Sequence, residues 1–398
     1  MRSILLSVFA ALAVSSLGCE KKTTPVEPPK GTDVKPIEAK PVPKAESDDI
    51  IIGEVGSLTG SEAAFGISTR NGIELALEEA NAAGGVKGKK VKVIVYDDQS
   101  KPEEAASATT RLITQDKVKL ILGEVASSNS LAMAPICQDN KIPMISPSST
   151  NPAVTEKGDY IFRVCFIDPF QGFVMAKYAR EDLKFKNVAI LKDVKSAYSV
   201  GLTEVFERKF AEMGGKIAGV ESYAKGDTDF RSQLTAIKKM KPEGLYVPGY
   251  YNDVGIIARQ ARELGLKTVM MGGDGWDSEK LFELGGKAIE GSYVSNHYSP
   301  EDPSPQVQNF ISKYKAKFAG VPDSLAALGY DAANVAIEAM KRAPDLSGPA
   351  LRDEIAKTKD FPGVAGTISM NEKRDAVKPA VVLQVVDGKF KYVATVKP

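Results

Sequence analysis

Six short segments of this sequence hold the residues best suited to gripping a small molecule. They are "GSLTGSEAAFG" (56–66), "GEVASSNS" (123–130), "SPSSTNP" (146–152), "DVKSAYS" (193–199), "GYYND" (249–253) and "GGDGWDS" (272–278). They share small hydroxyls, aromatics and acids. Ser127 is placed to open a helix, where free N–H groups and the helix dipole favour an anion such as a carboxylate. Ser148, Ser149 and Thr150 follow an apolar run, "IPMI", and Thr150 adds an N–H and a hydroxyl. The carbonyl of Ser148 and the carboxylate of Asp274 suit an ammonium. Phe65, Tyr198, Tyr250 and Trp276 suit an apolar wall. Together they fit a small zwitterion. Singly, each has a plainer use: Ser127 as an N-cap, "SPSSTNP" as a turn, the tyrosines as core or rim, Asp274 as the cap of the next helix. On this reading Asp274 has no structural partner, and Asp277 is solvated.

The elements between these segments alternate. "IIIGEV", "KVKVIVYDD", "VKLILGEV" and "IPMIS" read as strands, with helical stretches between them. The pattern restarts after "FRVCFIDPFQG" with "NVAILKD", "KIAGVESYA", "GLYVPGYY", "TVMMGGDG" and "GSYVSNHY". Such alternation predicts parallel strands with crossover helices. Two consecutive helices are expected over 305–319 and 324–342. A hairpin is expected around Asp387–Gly388. The fold class is therefore α/β, with two doubly wound lobes. The lobes are expected to be 49–168 with 298–375, and 169–297 with 376–398. In doubly wound sheets, ligands lie beyond the carboxyl ends of the strands. All six segments stand at such ends, which favours the site over the plainer uses.

The N-terminus has a different character. "MRSILLSVFAALAVSSLGCE" pairs Arg2 with an apolar core and a small-residue site, the order of a secretory signal over 1–18. Gly18–Cys19 is similar to a bacterial lipobox, which implies acylation of Cys19. Residues 19–48 are rich in proline and in charges of both signs and should form a disordered tether. Extended, it would reach on the order of 90 Å. The roughly 350 residues that follow suit two domains. A formal charge of +1 gives no field for nucleic acid. Cys137 and Cys165 are as readily two buried thiols as a bond.

Enzyme classes are disfavoured. His297 is the only histidine. There is no G-x-S-x-G elbow. The glycines of "GEVGSLTG" lack dinucleotide spacing, and no Cys/His cluster suggests a metal. No cofactor is expected.

The chain resembles the type I solute-binding proteins of branched-chain amino-acid ABC transporters, from about Ile50 to Val396. The resemblance rests on "GSLTGSEAAFG", "ANAAGGVKGKKVKVIVYDDQS", "PMISPSSTNP", "DFRSQLTAIKK" and "GGDGWDS", in the family's order. It implies three crossings between the lobes, near Asp168, His297 and Asp375, and a ligand carboxylate held at Ser127 and Thr150. It also implies an ammonium held at the Ser148 carbonyl, Thr150 and Asp274, with Tyr198 and Tyr250 closing from the second lobe. Phe65 stands where leucine-binding members commonly have tyrosine. Asp274 is one methylene shorter than their glutamate. Neither cysteine matches their disulfide spacing. The implied activity is non-catalytic delivery of an amino acid, branched-chain or otherwise apolar, to a permease and its ATPase. The protein would be a monomer, periplasmic or in the cell envelope, and anchored through Cys19. The alternative is another solute (an amide, urea or an aromatic acid) or use of the same fold as a sensor.

Overall fold

The computed structural model describes residues 49–398; the signal, the tether and Cys19 lie outside the described residues. The first sheet is wholly parallel. Its strands are β1 (Ile50–Gly56), β2 (Val91–Asp97), β3 (Ile121–Leu122), β4 (Met144–Ser146) and β5 (Ile161–Arg163), in the order β2-β1-β3-β4-β5. Helices α1 (Ala63–Ala82), α2 (Pro102–Thr114) and α3 (Ser127–Asp139) connect them. Side chains alternate across a strand, and β1 shows why the sheet must be covered twice. Ile50 and Ile52 enter one core with Ile73 and Leu77 of α1, while Val55 enters another with Leu112 of α2 and Met133 of α3.

The chain then leaves through α4 (Asp168–Lys177) and builds a second sheet. Its parallel part comprises β6 (Asn187–Asp193), β7 (Lys216–Tyr223), β8 (Gly244–Tyr246), β9 (Val269–Gly272) and β10 (Tyr293–Asn296). Helices α5 (Ala197–Glu212), α6 (Arg231–Met240), α7 (Tyr251–Glu263) and α8 (Glu279–Gly285) lie between. β6 alternates as β1 does: Val188 and Ile190 meet Leu202 and Phe206 of α5, while Ala189 and Leu191 meet Leu234 of α6 and Val254 of α7.

After β10 the chain returns to the first core. Helices α9 (Pro305–Phe318), α10 (Ser324–Arg342) and α11 (Gly348–Ala356) pack there through Phe310, Val335 and Leu351. A short hairpin, β11 (Phe361–Gly363) and β12 (Gly366–Ile368), precedes the last passage. β13 (Ala380–Val386) and β14 (Lys389–Val396) complete the second sheet, in the order β14-β13-β10-β9-β8-β6-β7. Asp387 and Gly388 turn that hairpin with φ of 52° and 67°. Such positive values suit the right-handed twist of two-residue hairpins. The fold is thus doubly wound twice, with three passages between the sheets.

In each sheet the chain reverses direction beside its first strand, between β1 and β3 and between β6 and β8. A crevice opens at such a reversal. Among the described residues, no helix is long and apolar enough to cross a membrane. Cys137 and Cys165 are free and buried.

Glu54 lies buried within β1, and its Oε2 meets no partner. Burial pushes its carboxyl from 4.5 up to about 8, with partial relief from Arg70. Asp253 is likewise raised to about 7, and Asp331 to about 6, chiefly by burial. Between the unfolded and folded values the native state binds more protons, so stability falls as pH rises through that window. Thermal denaturation should give a higher Tm at pH 6 than at pH 8.5. Glu54→Gln should flatten the difference by a few °C. An unchanged slope in the variant would show that Glu54 is not a source.

Candidate functional site

A small space lies where the strand ends of the two sheets meet, bordered by Phe65, Val125, Ser127, Ser148, Tyr198, Tyr250, Asp274, Gly275 and Leu325. Phe65 stands in α1, after β1. Val125 and Ser127 follow β3, and Ser148 follows β4. Tyr198, Tyr250 and Asp274 follow β6, β8 and β9. Six of the residues singled out from sequence are therefore brought to one place.

Ser127 is the first residue of α3, and no side chain caps that helix. Asn129 N and Ser130 N both bond the Ala126 carbonyl at 3.0 Å, which leaves the N–H groups of Ser127 and Ser128 for an anion. Glu124 fixes this turn: Oε2 accepts from Ala126 N at 2.5 Å, and Oε1 accepts from Ser57 N at 3.2 Å. The three hydroxyls after β4 differ in surroundings. Ser148 Oγ is buried without a partner. Ser149 Oγ, by contrast, lies 2.7 Å from Ser130 Oγ and bonds the carbonyls of Glu124 and Val125 at 3.0 and 2.9 Å. Ser149 therefore ties β4 to β3 and does not border the space. Thr150 does not border it either. Its hydroxyl is buried without a formed hydrogen bond. It lies close enough to Asp168 to offset part of the rise that burial imposes on that acid, to about 7.

The loop carrying Ser149 is held from beneath by Arg163. This guanidinium is fully buried and donates to the carbonyls of Ser149 and Asn151, the latter at 2.9 Å. Its Nε lies 2.7 Å from Asp375 Oδ1. Asp375 also accepts from Thr155 Oγ1 at 2.9 Å. The third passage between the sheets is thereby fastened to the hydroxyl loop.

Asp274 is held on two sides. Its N–H donates to Gln171 Oε1 at 2.8 Å, and that oxygen also accepts from Ser295 Oγ at 3.0 Å. Its Oδ2 lies 2.9 Å from His297 Nε2. Its Oδ1 is buried and has no partner. The expectation that Asp274 has no structural partner is therefore overturned. So is the expectation that Asp277 is solvated: it is buried, and its Oδ2 accepts from Asn296 Nδ2 and Ser324 N, both at 2.8 Å. Glycines flank Asp274 because the chain passes close to rings. A Cβ on Gly273 would come within 2.4 Å of Tyr198 Oη, and one on Gly275 within 2.8 Å of the Tyr250 ring.

Tyr198 and Tyr250 stack at 5.2 Å with planes 12° apart, and Phe65 meets Tyr250 edge-on at 5.6 Å. Burial, with Asp274 nearby, pushes both tyrosine hydroxyls well up, so they remain neutral. Trp276 is not brought to the space. It is fully buried in the core beyond, with Nε1 donating to Val247 O at 2.9 Å.

The two sets of strand-end loops are also joined around the space. Lys225 Nζ lies 2.5 Å from Glu62 Oε1 and donates to Ser100 O at 2.8 Å. Tyr251 Oη donates to Ser61 O at 3.0 Å and accepts from Ala64 N at 3.2 Å. Ala197 N donates to Ser128 Oγ at 3.1 Å, and Asn151 Nδ2 donates to Ala197 O at 2.8 Å. This is a closed arrangement.

Val125, Gly275 and Leu325 were not singled out from sequence. Val125 and Gly275 fall inside quoted segments, so their position was the available signal. Leu325 opens the second of two consecutive helices and carries no such signal. Among the described residues, no group of His, Cys, Asp and Glu could hold a metal ion.

A family model described as periplasmic binding protein matches residues 49–389. The leucine-, isoleucine-, valine-, threonine- and alanine-binding protein of Pseudomonas aeruginosa is 30% identical over 330 residues, covering 83% of this chain and 87% of that protein. Among solved structures, the leucine-binding protein LivK of Thermotoga maritima is 41% identical with a TM-score of 0.85, over 88% of this chain and 99% of that one. The branched-chain amino-acid transporter substrate-binding protein LivJ of Streptococcus pneumoniae, solved with isoleucine, is 35% identical with a TM-score of 0.84, over 88% of this chain and all of that one.

Proposed function

The chain belongs to the periplasmic binding protein family, and from that premise we propose that it closes on a small apolar amino acid, branched-chain ones first, and presents it to an ABC permease. One observation carries the reading. The partnerless Oδ1 of Asp274, the uncapped start of α3 and an aromatic wall share a single small space. The ligand's carboxylate would sit at Ser127 and the α3 N-terminus, with Thr150 nearby. Its ammonium would meet the Ser148 carbonyl and Asp274 Oδ1. Its side chain would lie among Phe65, Tyr198 and Tyr250. Ser149 serves by fixing the loop. The names of the relatives support the branched-chain preference.

Residues 49–168 with 298–375 would move as one lobe, and 169–297 with 376–398 as the other, hinging at the three passages. The protein would work as a monomer that binds without transforming its ligand, outside the cytoplasmic membrane and anchored by a lipid on Cys19. The motivation for the anchor is the run of Arg2, apolar core and Gly18–Cys19. Cys19→Ser should shift the protein from the membrane to the soluble fraction of the envelope; a wild-type protein already soluble would refute the anchor.

Calorimetry of the body against all common amino acids, urea, an aliphatic amide and benzoate tests the main reading. Leucine, isoleucine or valine should bind most tightly. A tight ligand at a thousandfold excess over Kd should add about 4 kcal/mol of stability. Tighter binding of benzoate or of the amide would replace the amino acid as the ligand class.

A further inference from the structure

His297, the sole histidine, follows β10 at the second passage between the sheets. Its side chain is fully buried, and its ring stacks on Phe166 at 3.7 Å with planes 23° apart. Nε2 lies 2.9 Å from Asp274 Oδ2, and Nδ1 is buried without a partner. We propose that His297 is the positioning residue of the amine-binding carboxylate, fixing Asp274 so that Oδ1 alone is presented to the ligand. This rests on the reading of Asp274 given above.

The chemistry of the pair sets the tautomer. An ionised carboxylate oxygen only accepts, so Nε2 must carry the proton. Nδ1 is then a lone pair, which fits its lack of an acceptor. Burial lowers the histidine's pKa, against the opposing pull of Asp274, and Lys378 lowers it further. The imidazole is therefore a neutral donor. A lysine or arginine in its place would bring a positive charge and compete with the ligand's ammonium. A neutral imidazole fixes one oxygen and leaves the negative charge for the ligand. The stack on Phe166 fixes the ring in turn, and Gln171 fixes the Asp274 backbone from the other side. Both oxygens of Asp274 are thus assigned: Oδ2 to the passage between the sheets, Oδ1 to the space.

His297→Phe keeps a ring that can stack and removes the donor. His297→Gln keeps an N–H donor at about the position of Nε2. The probes are L-leucine and 4-methylpentanoate, which is leucine without its amino group. His297→Phe should bind L-leucine on the order of tenfold more weakly, the scale of a hydrogen bond to a charged group. Its affinity for 4-methylpentanoate should match the wild type, and His297→Gln should recover most of the loss. In an Asp274→Asn background, His297→Phe should cost little more. A merely structural histidine would affect both probes alike, so equal losses overturn the proposal, as do unchanged leucine affinity in His297→Phe or a His297→Gln variant as weak as His297→Phe. If His297→Phe does not fold, His297→Leu, apolar and without a donor, is read in its place: it should lose affinity for L-leucine and not for 4-methylpentanoate, and equal losses overturn the proposal. Should Asp274→Asn bind leucine like the wild type, the reading of the amine site fails. Should Asp274→Asn weaken binding while the His297 variants do not, only the positioning role fails.

Discussion

Asp274→Asn should weaken the binding of an α-amino acid by about 30-fold or more. In the proposed complex the ligand's ammonium would be desolvated when the strand-end loops close, and it would then need an anion. Removing one partner of such a buried pair costs about 2–5 kcal/mol, mostly because the other charge is left uncompensated. The amide still offers an oxygen to His297 Nε2, so the ligand-free protein should lose little stability. Asp274→Glu is the informative companion. It extends the side chain by one methylene, but must displace Oδ2 from His297, 2.9 Å away. It should therefore change which ligand is preferred as well as how tightly it is held. Titration calorimetry with leucine, beside thermal denaturation without ligand, separates the two effects. An Asn variant with wild-type affinity would mean that the ammonium is bound elsewhere or that the ligand has none.

Arg163→Met is expected to lower stability by about 3–5 kcal/mol. The guanidinium is fully buried, and its removal leaves Asp375, itself 3% exposed, without its cation. Losing one partner of a buried pair costs far more than the pair's net worth, because an uncompensated charge remains in low dielectric. The carbonyls of Ser149 and Asn151 lose their donor at the same time. Arg163→Met with Asp375→Asn should recover part of the loss, since no bare charge is then left. Chemical denaturation of the two variants measures both amounts. A single variant as stable as the wild type would show that water or another group compensates Asp375.

The alternation of strands and helices was legible because strands buried on both faces must be continuous apolar runs, as "IIIGEV" and "NVAILKD" are. The site was legible as far as strand ends locate ligands. Beyond that, adjacent residues with similar chemistry proved to have different surroundings. Ser148 borders the space, while Ser149 next to it bonds back into the sheet, and nothing in "PSST" distinguishes them. Trp276 resembled a wall residue but fills the core behind the loop. Asp274 and Asp277 were assigned opposite surroundings, yet both are buried and partnered, by His297 and by Asn296 and Ser324. Those partners lie some 20 or more residues away along the chain, where no local pattern reaches. The helix α4, the helix α11 and the hairpin of β11 and β12 were missed for a related reason. Each is short and takes its stability from packing on elements already formed.

The bonds that join the two sets of loops around the space bear on time as well as on affinity. Lys225 with Glu62 and Ser100, and Tyr251 with Ser61 and Ala64, exist only while the loops are together. In the proposed closure a bound molecule leaves only after they part, so its residence would be governed by how often they break at once. Contacts of this kind act on the rate of departure far more than on the rate of encounter. A stopped-flow dissociation rate would read them directly. Anything that pulls the loops apart, a membrane partner included, would shorten residence without touching the molecule. On the proposed closure, the timing of release would thus be held by Lys225 and Tyr251, neither of which borders the space itself.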